Sequence, residues 1–192
     1  MHELSSSFVL GYHGCDKAVG EALLDGDEFR PSENNYDWLG SGIYFWETNP
    51  RRGLDWAKEL KRRRSDIREP FVVGAVIELG FCLDLLSLNG IEALRQAYIA
   101  FELDMKSQGK PLPRNEGGDD LLRRNLDCAV VNYLHQTREK ARLRVFDSVR
   151  GVFVEGREIY ADSGFREKTH IQICARNPAC IKGVFRVRGQ DL

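Results

Sequence analysis

The amino-acid sequence predicts an α+β domain, and three observations support that fold class. Short segments rich in β-branched and aromatic residues lie near both ends of the chain, with segments of helical periodicity between them. A length of 192 residues fits one domain, residues 1–192, with a helical insertion at about 88–141. The composition, 42% hydrophobic and 30% charged, is that of a globular protein that can bury a core.

The first half of the chain alternates predicted strands and helices. Apolar, β-rich segments predict strands at residues 8–12, 42–46 and 71–79. Helical spacing of apolar residues predicts a helix at 16–24, which an Asp-Gly pair ends. A second helix begins at an Asn-Pro pair and runs to about Arg64, because asparagine caps free amides and proline suits the first helical position.

The second half begins with two predicted helices and continues with strands. Apolar periodicity predicts helices at 90–106 and at about 118–141, and the segment between them is a loop rich in glycine and proline. Three short strands follow, at 149–155, 170–175 and 180–187.

Charge and cysteine content narrow the classes of function. A formal net charge of -1 gives the whole molecule no electrostatic footprint for nucleic acid or an anionic membrane. Basic clusters at residues 61–64 and 123–124 are typical of solvated helix faces. Five cysteines without a Cys-x-x-Cys pair indicate reduced thiols and no metal site.

Two further features concern the location of the protein. The first residues, MHELSSSFVLGYHG, lack a basic region followed by a long apolar run, so we expect no signal peptide. No apolar run approaches the about 18 to 20 residues that cross a bilayer. We therefore expect a cytoplasmic protein that does not bind membranes.

Two short motifs contain residues that can bind a ligand. In the first, Tyr12-His13-Gly14, a histidine at a strand end can face a cleft, and the glycine lets a ligand approach the backbone. In the second, residues 39–46 (LGSGIYFW), two glycines lead into an aromatic strand in which Tyr44 and Trp46 share one face. Each motif alone also fits a structural role, as a satisfied histidine and as a tight turn before a core strand.

Together the motifs resemble the signature of the diphtheria-toxin and poly(ADP-ribose) polymerase branch of ADP-ribosyltransferases. In that family a His-Gly pair and a Gly-x-Gly-Ile-Tyr-Phe segment form two walls of a cleft for NAD. The signature covers residues 11–57, and a looser likeness continues at 166–187. The resemblance implies a split β-sheet core of two packed, mainly antiparallel sheets that form the NAD cleft, with inserted helices.

The resemblance also implies roles for individual residues toward NAD as a co-substrate. His13 would bind the ribose, Gly14 the carboxamide, and Tyr44 would stack on the nicotinamide ring. The other implied contacts are Ser41 and Gly42 in the cleft wall, Trp56 as a second aromatic residue, and Arg30 near the adenosine end. Trp56 also fits a core position, and Arg30 also fits an unremarkable loop arginine.

The third catalytic position departs from the family pattern. Relatives have a glutamate on a strand that matches residues 169–174, and that segment contains no glutamate. We expect Gln172 to take the position, with His170 as a second choice and Glu167 as a third. A glutamine can orient the ribose 2′-hydroxyl but cannot act as a general base, which disfavours elongation into chains. Glu155, Glu158 and Asp162, in the preceding loop, are exposed-looking carboxylates that could supply the base or be solvated loop charges.

The predicted function is mono-ADP-ribosylation, a pentosyl transfer from NAD to a macromolecular acceptor. Protein and nucleic acid both stay open as acceptors. A toxin or defence enzyme of bacterial type fits the chain, and such an enzyme would have an antitoxin or inhibitor as a partner. The alternatives are an inactive module that binds NAD or ADP-ribose, and an NAD glycohydrolase that uses water as the acceptor.

Overall fold

The structure is a computed structural model that describes residues 8–63, 67–118 and 120–192. Arg64 of the basic cluster lies outside the described residues. The first seven residues, on which part of the signal-peptide expectation depends, also lie outside them.

Within these residues the chain forms an α+β fold, which confirms the predicted class. The strands are β1 (Phe8–Asp16), β2 (Ile43–Glu47), β3 (Pro70–Glu78), β4 (Cys82–Asp84), β5 (Asn115–Glu116), β6 (Arg123–Arg124), β7 (Ser148–Phe153), β8 (His170–Ala175) and β9 (Ile181–Arg186). The helices are α1 (Lys17–Leu24), α2 (Pro50–Arg63), α3 (Leu88–Ser107) and α4 (Asn125–Lys140).

Seven of the strands form one mixed sheet in the order β4-β7-β8-β2-β1-β3-β9. Its neighbouring strands are antiparallel except for β4 and β7, which are parallel. The pairing of β1 with β3 extends from Phe8↔Glu78 to Asp16↔Pro70. The pairing of β1 with β2 is limited to Gly11↔Glu47 and Tyr12↔Trp46, so the middle of the sheet is held by a short segment of ladder.

A split core of two sheets was expected. The seven-stranded sheet is continuous, but only the short β1–β2 ladder joins its two halves, β4-β7-β8-β2 and β1-β3-β9. The helix expected from about residue 118 begins at Asn125, because the preceding residues form the hairpin of β5 and β6. Strands as short as β4, β5 and β6 give no alternating pattern long enough to be recognised in a sequence.

Both faces of the sheet are covered by buried apolar side chains. The cluster on the face of Tyr44 consists of Leu39, Leu83, Val131, Phe146, Val149, Phe153 and Cys174. The cluster on the opposite face consists of Ile43, Phe45, Ala75, Ile77, Ile173, Ala175 and Cys180. A third, smaller cluster of Ala97, Phe101 and Val130 joins α3 to α4.

Two further findings concern the cysteines and the membrane. All five cysteines are free thiols. In the described part of the chain, no helix combines the length and the apolar character needed to cross a bilayer.

Within the described part of the chain, a buried histidine in α4 lacks the hydrogen bonds that buried polar groups normally have. His135 is only 4% exposed, and its ring packs edge-on against Phe146 with 5.7 Å between the centroids. Neither ring nitrogen has a hydrogen-bond partner among the described residues. Burial lowers the pKa of His135 to about 3, and the nearby charges of Arg176 and Arg138 lower it further. The folded protein therefore holds this imidazole neutral.

The pKa of His135 predicts a loss of stability in acid. Below about pH 6.5 the unfolded chain binds a proton at this residue that the folded chain excludes, so stability falls with pH until about pH 3. From pH 7 to pH 5 the loss due to this residue should be about 2 kcal/mol. Urea unfolding of wild type and of His135→Leu at both pH values measures it. The variant should lose less stability on acidification, and an identical loss in both proteins would contradict the prediction.

Candidate functional site

The site lies where β1 and β2 separate. The ladder between these strands stops at Tyr12↔Trp46, and His13 is the next residue of β1. His13 Nδ1 lies 2.8 Å from the backbone oxygen of Tyr44, which bridges the two strands. Because a carbonyl only accepts, Nδ1 carries the hydrogen, and Nε2 of the neutral ring is an acceptor. The imidazole is therefore held in one tautomer and one orientation.

The surroundings of His13 are aromatic. Its ring centroid lies 5.3 Å from that of Phe29, edge-on, and 5.8 Å from that of Phe45. Phe29 belongs to the loop after α1 and covers the sheet at this position. Burial lowers the pKa of His13, and its hydrogen bond to Tyr44 opposes that shift. The ring is consequently a neutral hydrogen-bonding group with aromatic neighbours.

Tyr44 lies on the expected face of β2, but its phenol is buried and hydrogen-bonded to the preceding loop. Its side chain packs on the face opposite to Phe45, against the cluster that contains Leu39. The phenol donates to the backbone oxygen of Gly40 at 2.6 Å and accepts from the backbone N–H of Leu39 at 2.8 Å. Burial raises the pKa of Tyr44 well above its usual value. The imidazole thus meets the backbone of Tyr44, while the phenol fixes the loop before β2.

The glycines of both motifs are required by close packing. A Cβ on Gly14 would lie 2.1 Å from the backbone oxygen of Gly53, so only glycine lets α2 approach β1 here. Gly40 has a φ of 78°, which a side chain would strain. Ser41 is fixed through its backbone, because its N–H donates to Asn132 Oδ1 at 3.0 Å and its oxygen accepts from Arg176 at 2.7 Å. Gly42 is buried next to it.

The two remaining cofactor candidates lie around this centre. Trp56, on α2, packs against Trp46 with 5.8 Å between ring centroids, so it lies beside β2 on the face of Tyr44. Arg30 is exposed and follows Phe29, the residue that covers His13.

Gln172 and His170 form a hydrogen-bonded pair on β8. Gln172 is 8% exposed and lies opposite Trp46 in the ladder. His170 Nδ1 donates to the backbone oxygen of Lys168 at 2.6 Å, so His170 Nε2 accepts from the amide nitrogen of Gln172 at 3.0 Å. Burial lowers the pKa of His170 to about 4, which keeps the ring neutral. Both nitrogens of His170 are therefore occupied, whereas the amide oxygen and the second N–H of Gln172 are not used by this pair.

Three of the four acidic candidates lie at the surface, and the fourth is buried. Glu167 is exposed and pairs with Arg157 at 3.0 Å, and Glu158 pairs with Arg166 at 3.6 Å. Asp162 is exposed, with a φ of 61°. Glu155, in contrast, is only 3% exposed, so the expectation that this carboxylate is exposed is wrong.

Glu155 forms a buried ion pair with a residue that sequence reasoning missed. Arg52, on α2, places Nη2 3.1 Å from Glu155 Oε2 and Nη1 3.7 Å from Glu59 Oε1. The side chain of Arg52 is only 10% exposed. Burial raises the pKa of Glu155, although the charge of Arg52 lowers it. The sequence did contain a signal for the burial of Arg52. This residue lies four residues before Trp56, so both lie on the side of α2 that faces the sheet.

Several buried donors near this pair have no acceptor. Among the described residues, Trp46 Nε1, Arg52 Nε and Arg52 Nη1 lack hydrogen-bond partners. The guanidinium carbon of Arg52 lies 5.9 Å from the ring centroid of Trp46, so these donors are close together. Buried polar groups are normally paired, and each one left unpaired costs about 1–3 kcal/mol. The cluster lies on the same face as Gln172.

An open groove of about 660 Å³ is lined in part by Arg52. Its lining consists of Asn49, Arg51, Arg52, Asp55, Glu59, Arg62, Arg63, Glu167 and Lys168. The groove therefore runs between α2 and the loop before β8, and neither His13 nor Tyr44 lines it.

Comparison with known proteins shows a similarity over most of the chain. The chain is similar to a protein of Methanocaldococcus jannaschii named uncharacterized protein MJ0359, with 27% identity over 193 aligned residues, which cover 89% of this chain and 83% of that protein. No family model matches the chain. No solved structure matches it either.

The Arg52–Glu155 pair yields a test of the buried site. Arg52→Met leaves a carboxylate buried without its cation, and we expect a loss of about 3 kcal/mol in the free energy of unfolding. Glu155→Gln should recover part of that loss in the double variant, because the uncompensated charge is gone. Urea unfolding of the two single variants and the double variant measures the coupling. Strictly additive losses would contradict the pairing.

Proposed function

We propose that this protein is a mono-ADP-ribosyltransferase that cleaves the nicotinamide–ribose bond of NAD and transfers ADP-ribose to a macromolecule. The observation that carries the proposal is the contact between the two motifs. His13 and Tyr44 lie 31 residues apart in the chain and are joined by one hydrogen bond where the two strands separate. A family resemblance based on two separate motifs requires that they meet, and this contact is consistent with that requirement. The finer fold of the family, a split sheet around NAD, belongs to the same proposal.

His13 has the properties needed for a ribose-binding residue. Its Nδ1 is committed to Tyr44, so Nε2 is available to accept a hydrogen bond from a sugar hydroxyl. Its low pKa supports a neutral ring at physiological pH, as acceptance requires. In the proposed complex the nicotinamide end enters between β1 and β2, with His13 on the face of Phe45 and with the Tyr44 ring and Gln172 on the opposite face.

Gln172 is the proposed third residue, and its environment separates it from His170. Cleavage gives the ribose oxocarbenium character, and an enzyme must orient the 2′-hydroxyl as that charge develops. The amide of Gln172 can accept from this hydroxyl, because its nitrogen faces His170 and its oxygen does not. His170 has no free nitrogen and acts as a positioning residue for the amide. Glu167 is held at the surface by Arg157.

The absence of a carboxylate on β8 supports a reaction that adds one ADP-ribose group and does not build chains. Gln172 cannot deprotonate an acceptor hydroxyl, so single additions are favoured over chains. The same absence is what favours the alternative, a module that binds NAD or ADP-ribose without turnover. Transfer to a protein or nucleic acid in the cytoplasm, regulated by an inhibitor or antitoxin, is the biological setting that we propose.

Replacing His13 tests the NAD site. His13→Ala removes the acceptor proposed for the ribose and should reduce release of nicotinamide from NAD by on the order of 10²-fold or more. His135→Leu, which removes a histidine from the helical layer, is the matched control and should retain turnover. Circular dichroism checks that both variants fold. Equal turnover by wild type and His13→Ala would remove His13 from the site.

Variants at Gln172 and Glu167 test two of the three candidates for the third position. Gln172→Ala should reduce nicotinamide release by on the order of 10²-fold, because the amide contact contributes in the transition state. Glu167→Gln should have no effect on the rate. Normal turnover by Gln172→Ala would eliminate Gln172 and promote His170.

The acceptor can be identified by labelling. Incubation with labelled NAD and total cell lysate should transfer label to macromolecules, and separate digestion with protease, RNase and DNase shows which class carries it. Nicotinamide release without any labelled macromolecule would identify a glycohydrolase. Binding of NAD without release would identify a binding module.

A further inference from the structure

The groove along α2 carries an excess of free positive charge. Its three acidic side chains are each paired with a basic side chain: Asp55 with Lys58 at 3.2 Å, Glu59 with Lys168 at 3.0 Å, and Glu167 with Arg157 at 3.0 Å. Three exposed arginines of the lining, Arg51, Arg62 and Arg63, have no ion-pair partner among the described residues. The groove is therefore cationic although the chain as a whole is not.

The spacing of these arginines fits several phosphates. Arg51 lies at the first turn of α2, and Arg62 and Arg63 lie at its last turn. At 1.5 Å per residue the two ends are about 17 Å apart. The two phosphates of a dinucleotide share one oxygen and cannot reach both ends. A strand of nucleic acid presents a phosphate at every nucleotide and can follow the whole groove.

The inner wall offers donors that need an oxygen acceptor. Arg52 lines the groove, and its Nε and Nη1 have no hydrogen-bond partner among the described residues, although the side chain is nine-tenths buried. A guanidinium is the side chain best suited to phosphate oxygens, because its N–H groups form a planar fork. Because Nη1 lies 3.7 Å from Glu59 Oε1, a phosphate would have to displace that carboxylate to bind Arg52.

We propose that the groove between α2 and the loop before β8 binds the phosphate backbone of a single-stranded nucleic acid. Arg51 contacts a phosphate at one end of the groove, and Arg62 and Arg63 contact phosphates further along the strand at the other end. Arg52 lies at the inner wall between them. The strand passes beside Lys168, two residues before His170, and so close to the proposed third catalytic position. That this nucleic acid is the acceptor of ADP-ribose rests on the proposed function.

Binding without NAD tests the groove independently of catalysis. Fluorescence anisotropy of labelled single-stranded RNA and DNA oligonucleotides is measured between about 50 and 200 mM salt, a range over which phosphate contacts weaken steeply. The triple variant Arg51→Gln, Arg62→Gln, Arg63→Gln should bind at least about tenfold more weakly, with a salt slope smaller by about 2. The matched control is Arg95→Gln, Arg142→Gln, Arg188→Gln, which changes the net charge equally at exposed positions outside the groove, and it should bind like wild type.

Three outcomes would overturn the inference. The first is an equal loss of binding in both triple variants, because the effect would then come from net charge. The second is displacement of the oligonucleotide by NAD at equal phosphate concentration, which would assign the groove to a dinucleotide. The third is binding of polyglutamate with the same dependence on the three arginines, which would assign it to an acidic protein. Failure of NAD turnover leaves this binding result unchanged, so the two proposals fail separately.

Discussion

The separation of β1 from β2 after Tyr12↔Trp46 determines the arrangement of the proposed site. Up to that pair the strands share a backbone ladder, and beyond it the hydrogen bond from His13 to the Tyr44 oxygen joins them. Two constraints hold the strands in these positions. The tight approach of α2 to Gly14 holds β1 from one side, and the hydrogen bonds of the Tyr44 phenol to the loop hold β2 from the other. The two strands are therefore held in these positions by packing and hydrogen bonds of the chain itself.

A second centre lies on the face of Tyr44, under α2. It combines the buried Arg52–Glu155 pair with the Gln172–His170 pair, and Trp46 lies against both. A buried ion pair is weak support for stability, because desolvation offsets most of the attraction. The role of the pair here is to hold α2 in position, because Arg52 lines the groove and Glu155 belongs to the loop before β8. The proposed NAD gap and the proposed acceptor groove are thus connected through β2 and β8.

Much of the secondary structure could be predicted from the sequence. The strand at 170–175 has the predicted bounds, and α1, α2 and α3 begin and end within two residues of the described parts of the predictions. These segments have clear apolar periodicity or recognisable caps, such as the Asp16 side chain that accepts from Ala18. The β5–β6 hairpin was missed because segments of two residues have no periodicity.

The details of the site were less accessible, because they depend on tertiary contacts. Alternation placed Tyr44 on the face opposite to Phe45, but not its phenol on the Gly40 and Leu39 backbone. Glu155 looks like a loop carboxylate in the sequence, and only the position of Arg52 103 residues away makes it a buried ion. Gly14 was interpreted as room for a ligand, whereas the structure shows that α2 already needs that room.

Binding of NAD between β1 and β2 can be observed in a crystal structure of the protein with a non-hydrolysable NAD analogue. We expect the nicotinamide end between β1 and β2 and a ribose hydroxyl within hydrogen-bond distance of His13 Nε2. An analogue bound along α2 with the gap empty, or a gap closed by Phe29 in the presence of saturating analogue, would contradict it.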